Sequence, residues 1–175
     1  MEAIADRLAG VDDIDVGLVV SDRSGAAGLG KAEARGIPTS VVDWNSFHDR
    51  PSFTRSVCDV VEEAGCEIMV LAGFMRILSV EAVQRFPDRI INIHPSILPS
   101  FPGAHAVEEA LEHGVEWTGV TIHVVDELVD HGPILRQEPV PIEPGDTVDS
   151  LHARIQAVEH RIYPETVIAF ARRQS

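Results

Sequence analysis

Short apolar runs alternate with segments of helical periodicity along most of this chain, and this alternation limits the folds it can adopt. Runs rich in aliphatic residues occupy residues 14–21, 39–42, 67–72 and 89–93, as is typical of strands buried on both faces. Between the middle two, apolar residues recur at helical spacing from Phe53 to Ala64, and Gly65 follows where a helix would end. Because such strand–helix–strand units need a crossover, the sequence predicts an α/β fold: a Rossmann-like, mostly parallel sheet flanked by helices.

The last third of the chain follows a different pattern. The apolar runs at 119–125 and 133–142 lie too close together for a crossover helix, so we expect an antiparallel addition at the edge of the sheet. The closing segment predicts a helix that begins near Asp146 or Thr147, with Pro164 bending or restarting it. No internal repeat or linker interrupts the pattern, so residues 1–175 are expected to form a single domain.

The charge balance excludes several kinds of partner. Against 28 acidic residues stand 14 basic ones, of which Lys31 is the single lysine, and the formal net charge is −14. So many carboxylates repel nucleic-acid backbones and anionic membranes, and we therefore expect neither as a partner. This composition favours a surface that is hydrated in concentrated salt, as in a halophile, the alternative being an ordinary acidic enzyme of the cytoplasm.

Nothing in the sequence indicates export or a metal centre. No run approaches the roughly 18 apolar residues of a membrane-spanning helix, and Met1 leads directly into the mixed stretch EAIADRLAG rather than a secretion leader. A soluble cytoplasmic protein is therefore expected, with Cys58 and Cys66 as reduced thiols. The eight histidines show no HExxH motif, so we expect no metal.

Two polar loops follow predicted strands, at residues 72–78 and 92–105, where open parallel sheets bind their ligands. Asn92 and His94 are two residues apart, so their side chains point to one side, and three prolines at 95, 99 and 102 stiffen the loop after the strand. An amide beside an imidazole suits a reaction in which negative charge grows on a carbonyl oxygen. By itself the pair is more typical of a structural role, in which its side chains bond loop backbone.

A carboxylate is the usual third partner of such a pair. Asp126, Glu127 and Asp130, in the polar loop at 126–133, are the candidates. An acid close to His94 would favour the charged form of the imidazole and fix its orientation.

Four segments, LAGFMRIL, NIHPSILPSFPGAH, GVTIHVVDELVDHGPIL and EHRIYP, closely resemble the formyl-folate enzymes. FPGAH and EHRIYP are more similar to the glycinamide ribonucleotide formyltransferases than to the methionyl-tRNA formyltransferases or formyltetrahydrofolate deformylases of the same family. The resemblance covers roughly residues 14–170. It implies transfer of a formyl group from 10-formyltetrahydrofolate to the amine of glycinamide ribonucleotide in purine biosynthesis, by a monomer or a homodimer. The alternatives are deformylase activity or an impaired folate-binding remnant.

The resemblance also implies roles for individual residues. It assigns catalysis to Asn92, His94 and Asp130. The folate co-substrate is assigned to Leu71, Met75, Arg76, Ile77, Leu78 and Asp126. The ribonucleotide is assigned to Gly73, Pro95 and Glu159. For His105 and His123, a supporting role beside His94 and a plain packing role remain equally open.

Two departures from the family pattern stand out. His131 occupies a position where some members have glycine. Family members also begin with a strand and a glycine-rich loop that binds the substrate phosphate, and this sequence shows neither, so we expect an N-terminally short domain and a poor enzyme. EAIADRLAG resembles the helix that follows that loop. The glycines of SGAAGLGKA (Gly25, Gly28 and Gly30) are interpreted as a flexible entry to a helix, without a phosphate role.

Overall fold

The computed structural model describes residues 1–174, in which helices and strands alternate as the sequence predicts. The elements in chain order are α1 (Glu2–Leu8), β1 (Val19–Ser21), α2 (Ala27–Glu33), β2 (Thr39–Val41), α3 (Arg50–Glu63), β3 (Met69–Leu71), α4 (Val80–Arg85), β4 (Ile90–His94), α5 (Ala106–His113), β5 (Trp117–Val124), β6 (Ile134–Pro141) and α6 (Val148–Gln174). The α/β prediction is confirmed.

Helix α3 shows how local sequence sets an element. The Asp49 carboxylate accepts a hydrogen bond of 2.8 Å from the Ser52 N–H and so caps the first turn. The helix buries Phe53 and Val57 on its inner face. It ends just before Gly65, whose φ of +70° reverses the chain in a conformation that glycine adopts without strain.

Helix α6 begins where the sequence predicts and continues through Pro164. The Thr147 hydroxyl accepts a hydrogen bond of 3.2 Å from the Ser150 N–H at the helix start. Pro164 does not restart the helix, which runs unbroken to Gln174. A proline inside a helix costs about 3 kcal/mol. Burial offsets that cost, because Pro164 is itself buried and residues near it on the helix, such as Val167, belong to the main hydrophobic core.

The strands form two separate ladders. β1 and β2 pair in parallel, while the second sheet has the order β3-β4-β5-β6. In it β3 and β4 are parallel, and β5 and β6 are added antiparallel beyond β4. The predicted antiparallel edge addition is therefore confirmed, and the whole is a mixed sheet covered by helices. Its core lies against α6, where Ile91, Ile122, Leu151 and Ile155 are fully buried.

A gap separates the two ladders. Within residues 1–174, β1 has a ladder partner only in β2, and β3 only in β4. Between them lies a cavity of about 780 Å³, lined by backbone and apolar side chains of both strands and by Ile4 and Leu8 of α1. Strand geometry is present only at 19–21 of the predicted 14–21, because residues 14–18 have no described neighbouring strand to pair with.

Arginine side chains form ion pairs with some of the surface carboxylates. Arg35 joins α2 to α1 through Asp6 at 2.7 Å, and Arg172 bonds Asp13 at 2.9 Å. Exposed pairs of this kind contribute about 0–1 kcal/mol each. Because acids outnumber bases two to one, many carboxylates can only repel one another.

Among residues 1–174, no helix combines the length and the apolar character that crossing a bilayer requires.

This imbalance predicts a stability that rises with salt. The Debye length falls from about 10 Å at 0.1 M to about 3 Å at 1 M, so molar salt screens repulsion across a surface with a net charge of −14. We expect the thermal midpoint, followed by circular dichroism, to rise steadily as potassium chloride goes from dilute to molar. A midpoint that stays flat or falls would remove the interpretation as a salt-adapted protein.

Candidate functional site

The pairing of β4 with β5 brings the predicted polar residues together. In the antiparallel register Asn92 lies opposite His123, and His94 lies opposite Thr121. These four residues lie at the end of β4 and on the neighbouring strand β5, where the loop with Pro95, Pro99 and Pro102, here called the proline loop, leaves the sheet. The strand pairing thus converts two short sequence patterns, Asn-x-His and Thr-x-His, into one cluster.

His94 is nearly enclosed, with 4% of its surface exposed. Its Nε2 lies 2.8 Å from the Phe101 carbonyl oxygen, and its Nδ1 lies 3.4 Å from Asp130 Oδ2. Both neighbours are oxygen acceptors, and only the doubly protonated ring can donate to both. At 3.4 Å the Nδ1 contact is longer than an ordinary hydrogen bond.

Asp130 is held on several sides. It adopts a left-handed φ of +52°, and its Oδ2 accepts a hydrogen bond of 2.8 Å from the Gly103 N–H. Its Oδ1 lies 3.6 Å from His123 Nε2. Burial acts to raise the pKa of Asp130, but the bonds from His123 and Gly103 and the charge of His94 outweigh burial and lower it. The carboxyl is therefore ionised at neutral pH and can stabilise a positive imidazole.

His123 supports the cluster from β5. Its Nδ1 lies 2.9 Å from the Val124 carbonyl oxygen and so carries the proton. His123 Nε2 lies 3.3 Å from Asn92 Nδ2 and 3.6 Å from Asp130 Oδ1, so in the neutral ring it accepts from the Asn92 amide, and in the doubly protonated ring it donates to Asp130. His123 thereby orients the Asn92 amide. Of the two roles left open for His123, the structure favours support of the site, while His105 lies exposed at the start of α5.

The proline loop is fixed by a hydroxyl that sequence reasoning missed. Thr121 Oγ1 donates to the Ser96 carbonyl oxygen at 2.7 Å and accepts from the Leu98 N–H at 3.0 Å. It also accepts from Gln137 Nε2 at 2.9 Å, and Gln137 donates in addition to the Leu98 carbonyl oxygen. The sequence offered only a weak signal for Thr121: it lies two residues before His123 on β5, so the two side chains share one face of the strand.

Thr121→Val is therefore expected to lower stability by about 3 kcal/mol, since it leaves two buried backbone groups, the Ser96 carbonyl and the Leu98 N–H, without their partner. The thermal midpoint should fall by about 9 °C. Thr118→Val is the matched control, because the Thr118 hydroxyl is buried and has no hydrogen-bond partner among the described residues. That control should change stability by less than about 0.5 kcal/mol. Equal losses in the two variants would show that the Thr121 network does not hold the loop.

The loop at 126–131 lies beside the cluster. Asp126 Oδ1 accepts a hydrogen bond of 2.9 Å from the Leu128 N–H, and its Oδ2 lies 2.8 Å from His131 Nδ1. Burial acts to raise the pKa of Asp126, but these two bonds outweigh it and lower the pKa. Asp126 is therefore a charged anchor for the loop.

The segment assigned to folate follows β3 and is largely open. Met75 is 78% exposed and Ile77 is also exposed, whereas Leu71 and Leu78 pack partly against the core. Arg76 is exposed but has partners on the protein: its guanidinium bonds Asp22 at 2.8 Å and lies 5.0 Å from the centroid of the Trp44 ring. The exposed apolar residues leave this segment free to contact a ligand.

The residues assigned to the ribonucleotide are dispersed. Gly73 adopts a φ of +69° just after β3, and Pro95 directly follows His94. Burial raises the pKa of Glu159 on α6, opposed by the charges of His152, His160 and the amino terminus. The electrostatic neighbours of Glu159 thus lie at the start of α1 and on α6 itself, and not in the cluster at the end of β4. Among residues 1–174, no three His, Cys, Asp or Glu side chains converge as a metal site would require.

An open α/β sheet with a polar cluster beyond the carboxyl end of a strand defines a class of domains that bind small molecules at that edge. Enclosed Asn, His and Asp side chains at that edge suit acyl transfer.

The chain belongs to the formyl transferase family, which matches residues 2–167. It is 49% identical over 150 residues to the trifunctional purine biosynthetic protein adenosine-3 of Gallus gallus, covering 86% of this chain. It is 40% identical over 153 residues to the phosphoribosylglycinamide formyltransferase of Escherichia coli, covering 87% of this chain and 72% of that protein. It is also similar to the crystal structure of glycinamide ribonucleotide transformylase 1 from Symbiobacterium toebii, with a TM-score of 0.92, 42% identity and coverage of 95% of this chain and 79% of that chain. The chain spans only 15% of the length of the trifunctional relative.

Proposed function

We propose that this protein transfers a formyl group from 10-formyltetrahydrofolate to the amine of glycinamide ribonucleotide, as a step of purine synthesis in the cytoplasm. The family and the names of relatives such as the Escherichia coli enzyme support the reaction class. The observation that carries the proposal is the enclosed contact between His94 and Asp130, with Asn92 on the same strand.

The proposed reaction is an acyl transfer without a covalent enzyme intermediate. The substrate amine attacks the formyl carbon, and the carbonyl oxygen becomes a tetrahedral oxyanion. The Asn92 amide donates to that oxygen. Protonated His94 donates to it through Nδ1–H, which the long 3.4 Å contact with Asp130 leaves available, while Nε2 stays on the Phe101 carbonyl oxygen and the Asp130 charge stabilises the imidazolium. As the intermediate collapses, the carbon–nitrogen bond to the folate breaks, and the proton lost by the amine passes to the folate nitrogen.

The folate is proposed to lie between two segments that meet near the cluster. One is 71–78, where exposed Met75 and Ile77 offer apolar contact; the other is the loop anchored by Asp126. The ribonucleotide is proposed to approach from Gly73 and Pro95. Glu159 lies apart from these two residues, near the amino terminus and the histidines of α6, and its carboxyl is proposed to accept a hydrogen bond from a sugar hydroxyl of the ribonucleotide.

Product analysis tests the proposal directly. Purified protein is incubated with 10-formyltetrahydrofolate, with and without glycinamide ribonucleotide, and the products are separated by chromatography. Formylated ribonucleotide supports the proposal. Free formate, formed whether or not the ribonucleotide is present, would identify a deformylase instead. Binding of folate without either product would identify an impaired remnant.

A further inference from the structure

The loop that carries Asp130 has little apolar packing of its own. Leu128 and Val129, at the tip of the loop, are 59% and 51% exposed. Asp130 nevertheless adopts a φ of +52°, which residues other than glycine seldom hold without constraint. The order of the loop must therefore come from polar contacts.

Asp126 and His131 supply such a contact. The two side chains meet at 2.8 Å and tie together the ends of the segment 126–131. The other Asp126 oxygen accepts from the Leu128 N–H at 2.9 Å, so one carboxylate organises both the entry and the exit of the loop. We refer to the contact between Asp126 and His131 as the clasp.

The chain is fixed again immediately after the clasp. A Cβ at Gly132 would lie 2.0 Å from the Val124 carbonyl oxygen, so the backbone passes there at a distance that only glycine allows. The Val124 N–H donates to the Pro133 carbonyl oxygen at 2.9 Å. Asp130 thus stands directly before two consecutive constrained positions, the clasp at 131 and the close passage at 132.

We infer that His131 is a positioning residue, whose bond to Asp126 closes the loop and holds the Asp130 carboxylate toward His94. The inference rests on the proposed function, because the role of Asp130 in formyl transfer comes from it. A glycine at position 131 has no side chain to make this bond. Only a chain with a hydrogen-bond donor side chain at position 131 can therefore form the clasp.

The first test separates turnover from binding. His131→Ala should lower kcat about fivefold, a typical coupling between contacting residues, and leave the dissociation constant for 10-formyltetrahydrofolate within about twofold. His131→Gln keeps an N–H donor and should recover most of the loss. His48→Ala, a substitution in the segment before α3 and away from the loop, is the control and should match the unaltered chain. A kcat within about twofold of that chain for His131→Ala would overturn the inference.

A double-mutant cycle tests the path through Asp126. Asp126→Asn keeps an oxygen for the Leu128 N–H while removing the charge that faces His131. If the clasp carries the effect, adding His131→Ala to Asp126→Asn should lower kcat by no more than about a further twofold. Multiplication of the two single effects would show that His131 acts independently of Asp126 and would contradict the clasp.

Amide hydrogen exchange keeps this inference separate from the proposed function. Exchange of the amides at 127–131 should be faster in His131→Ala than in the unaltered chain or in His48→Ala, whatever reaction the protein catalyses. Unchanged exchange would overturn the clasp even if formyl transfer is observed. Faster exchange in a protein that forms no formylated ribonucleotide would support the clasp and reject the proposed function alone.

Discussion

Replacing His94 with alanine is expected to lower turnover by about a hundredfold or more, and replacing Asp130 with alanine should do the same. His94 is the group proposed to donate to the oxyanion, and Asp130 is the acceptor that holds it at 3.4 Å. Folate binding should survive better than turnover, because the folate segment at 71–78 is untouched. Steady-state kinetics give the ratio of the kcat of each variant to the kcat of the unaltered chain. This ratio measures the effect even if the unaltered chain has low activity.

Two further variants make the result interpretable. Asp130→Asn keeps an oxygen that can accept from the Gly103 N–H but removes the charge facing His94, so it should lose turnover with little loss of stability. Asp12→Ala, an exposed acid outside the site, should behave like the unaltered chain. If His94→Ala or Asp130→Ala stays within about threefold of the unaltered chain, the catalytic roles proposed for these residues are wrong.

The second large effect is expected from filling the gap between β1 and β3. A chain extended before Met1 by an apolar strand of about seven residues and a glycine-rich connection should place that strand in the cavity of about 780 Å³. Both neighbouring strands would then gain ladder hydrogen bonds on their open sides. Each buried backbone group that gains a partner contributes about 1 to 3 kcal/mol, so several together should raise the thermal midpoint by about 10 °C or more.

Ligand binding should respond unequally to the same extension. A glycine-rich connection entering α1 offers backbone N–H groups to a phosphate, which the acidic surface otherwise repels. Affinity for glycinamide ribonucleotide should therefore rise more than affinity for folate, whose proposed contacts at 71–78 and Asp126 do not change. Calorimetric titration with each ligand measures the difference.

The matched control is an extension of the same length with proline at alternate strand positions. Proline has no N–H to donate to a ladder, so this extension should add neither stability nor ribonucleotide affinity. Equal melting and equal binding in the extended and unextended chains would show that the gap has no energetic consequence. In that case the consequences proposed for the gap between β1 and β3 are wrong.

Elements with a strong local pattern were predictable from the sequence. Helix α3, observed as Arg50–Glu63, follows from helical periodicity and from Gly65. The antiparallel pair β5 and β6 follows from the short interval between two apolar runs. In these cases the residues that specify the element are near neighbours in the chain, so the local sequence pattern is sufficient to predict the element.

Other features depended on distant parts of the chain. The unbroken passage of α6 through Pro164 reflects burial in the core, which a local rule for proline does not include. The bond between Arg76 and Asp22 joins residues 54 positions apart, so the sequence around Arg76 did not identify the partner of its guanidinium. The Thr121 network likewise unites β5, β6 and the proline loop.

The alternation of strands and helices, the acidic surface and the Asn-x-His pattern could be predicted from the sequence alone, because each depends on composition or on neighbouring residues. Its resemblance to the formyl-folate enzymes indicated which acid to pair with His94. Only the tertiary structure decided that His123 orients Asn92, that Asp130 lies 3.4 Å from His94 and that β1 and β3 stand apart. The physical reason is that hydrogen bonds and strand pairings act through space across a register, and residues that meet there can be far apart in the chain.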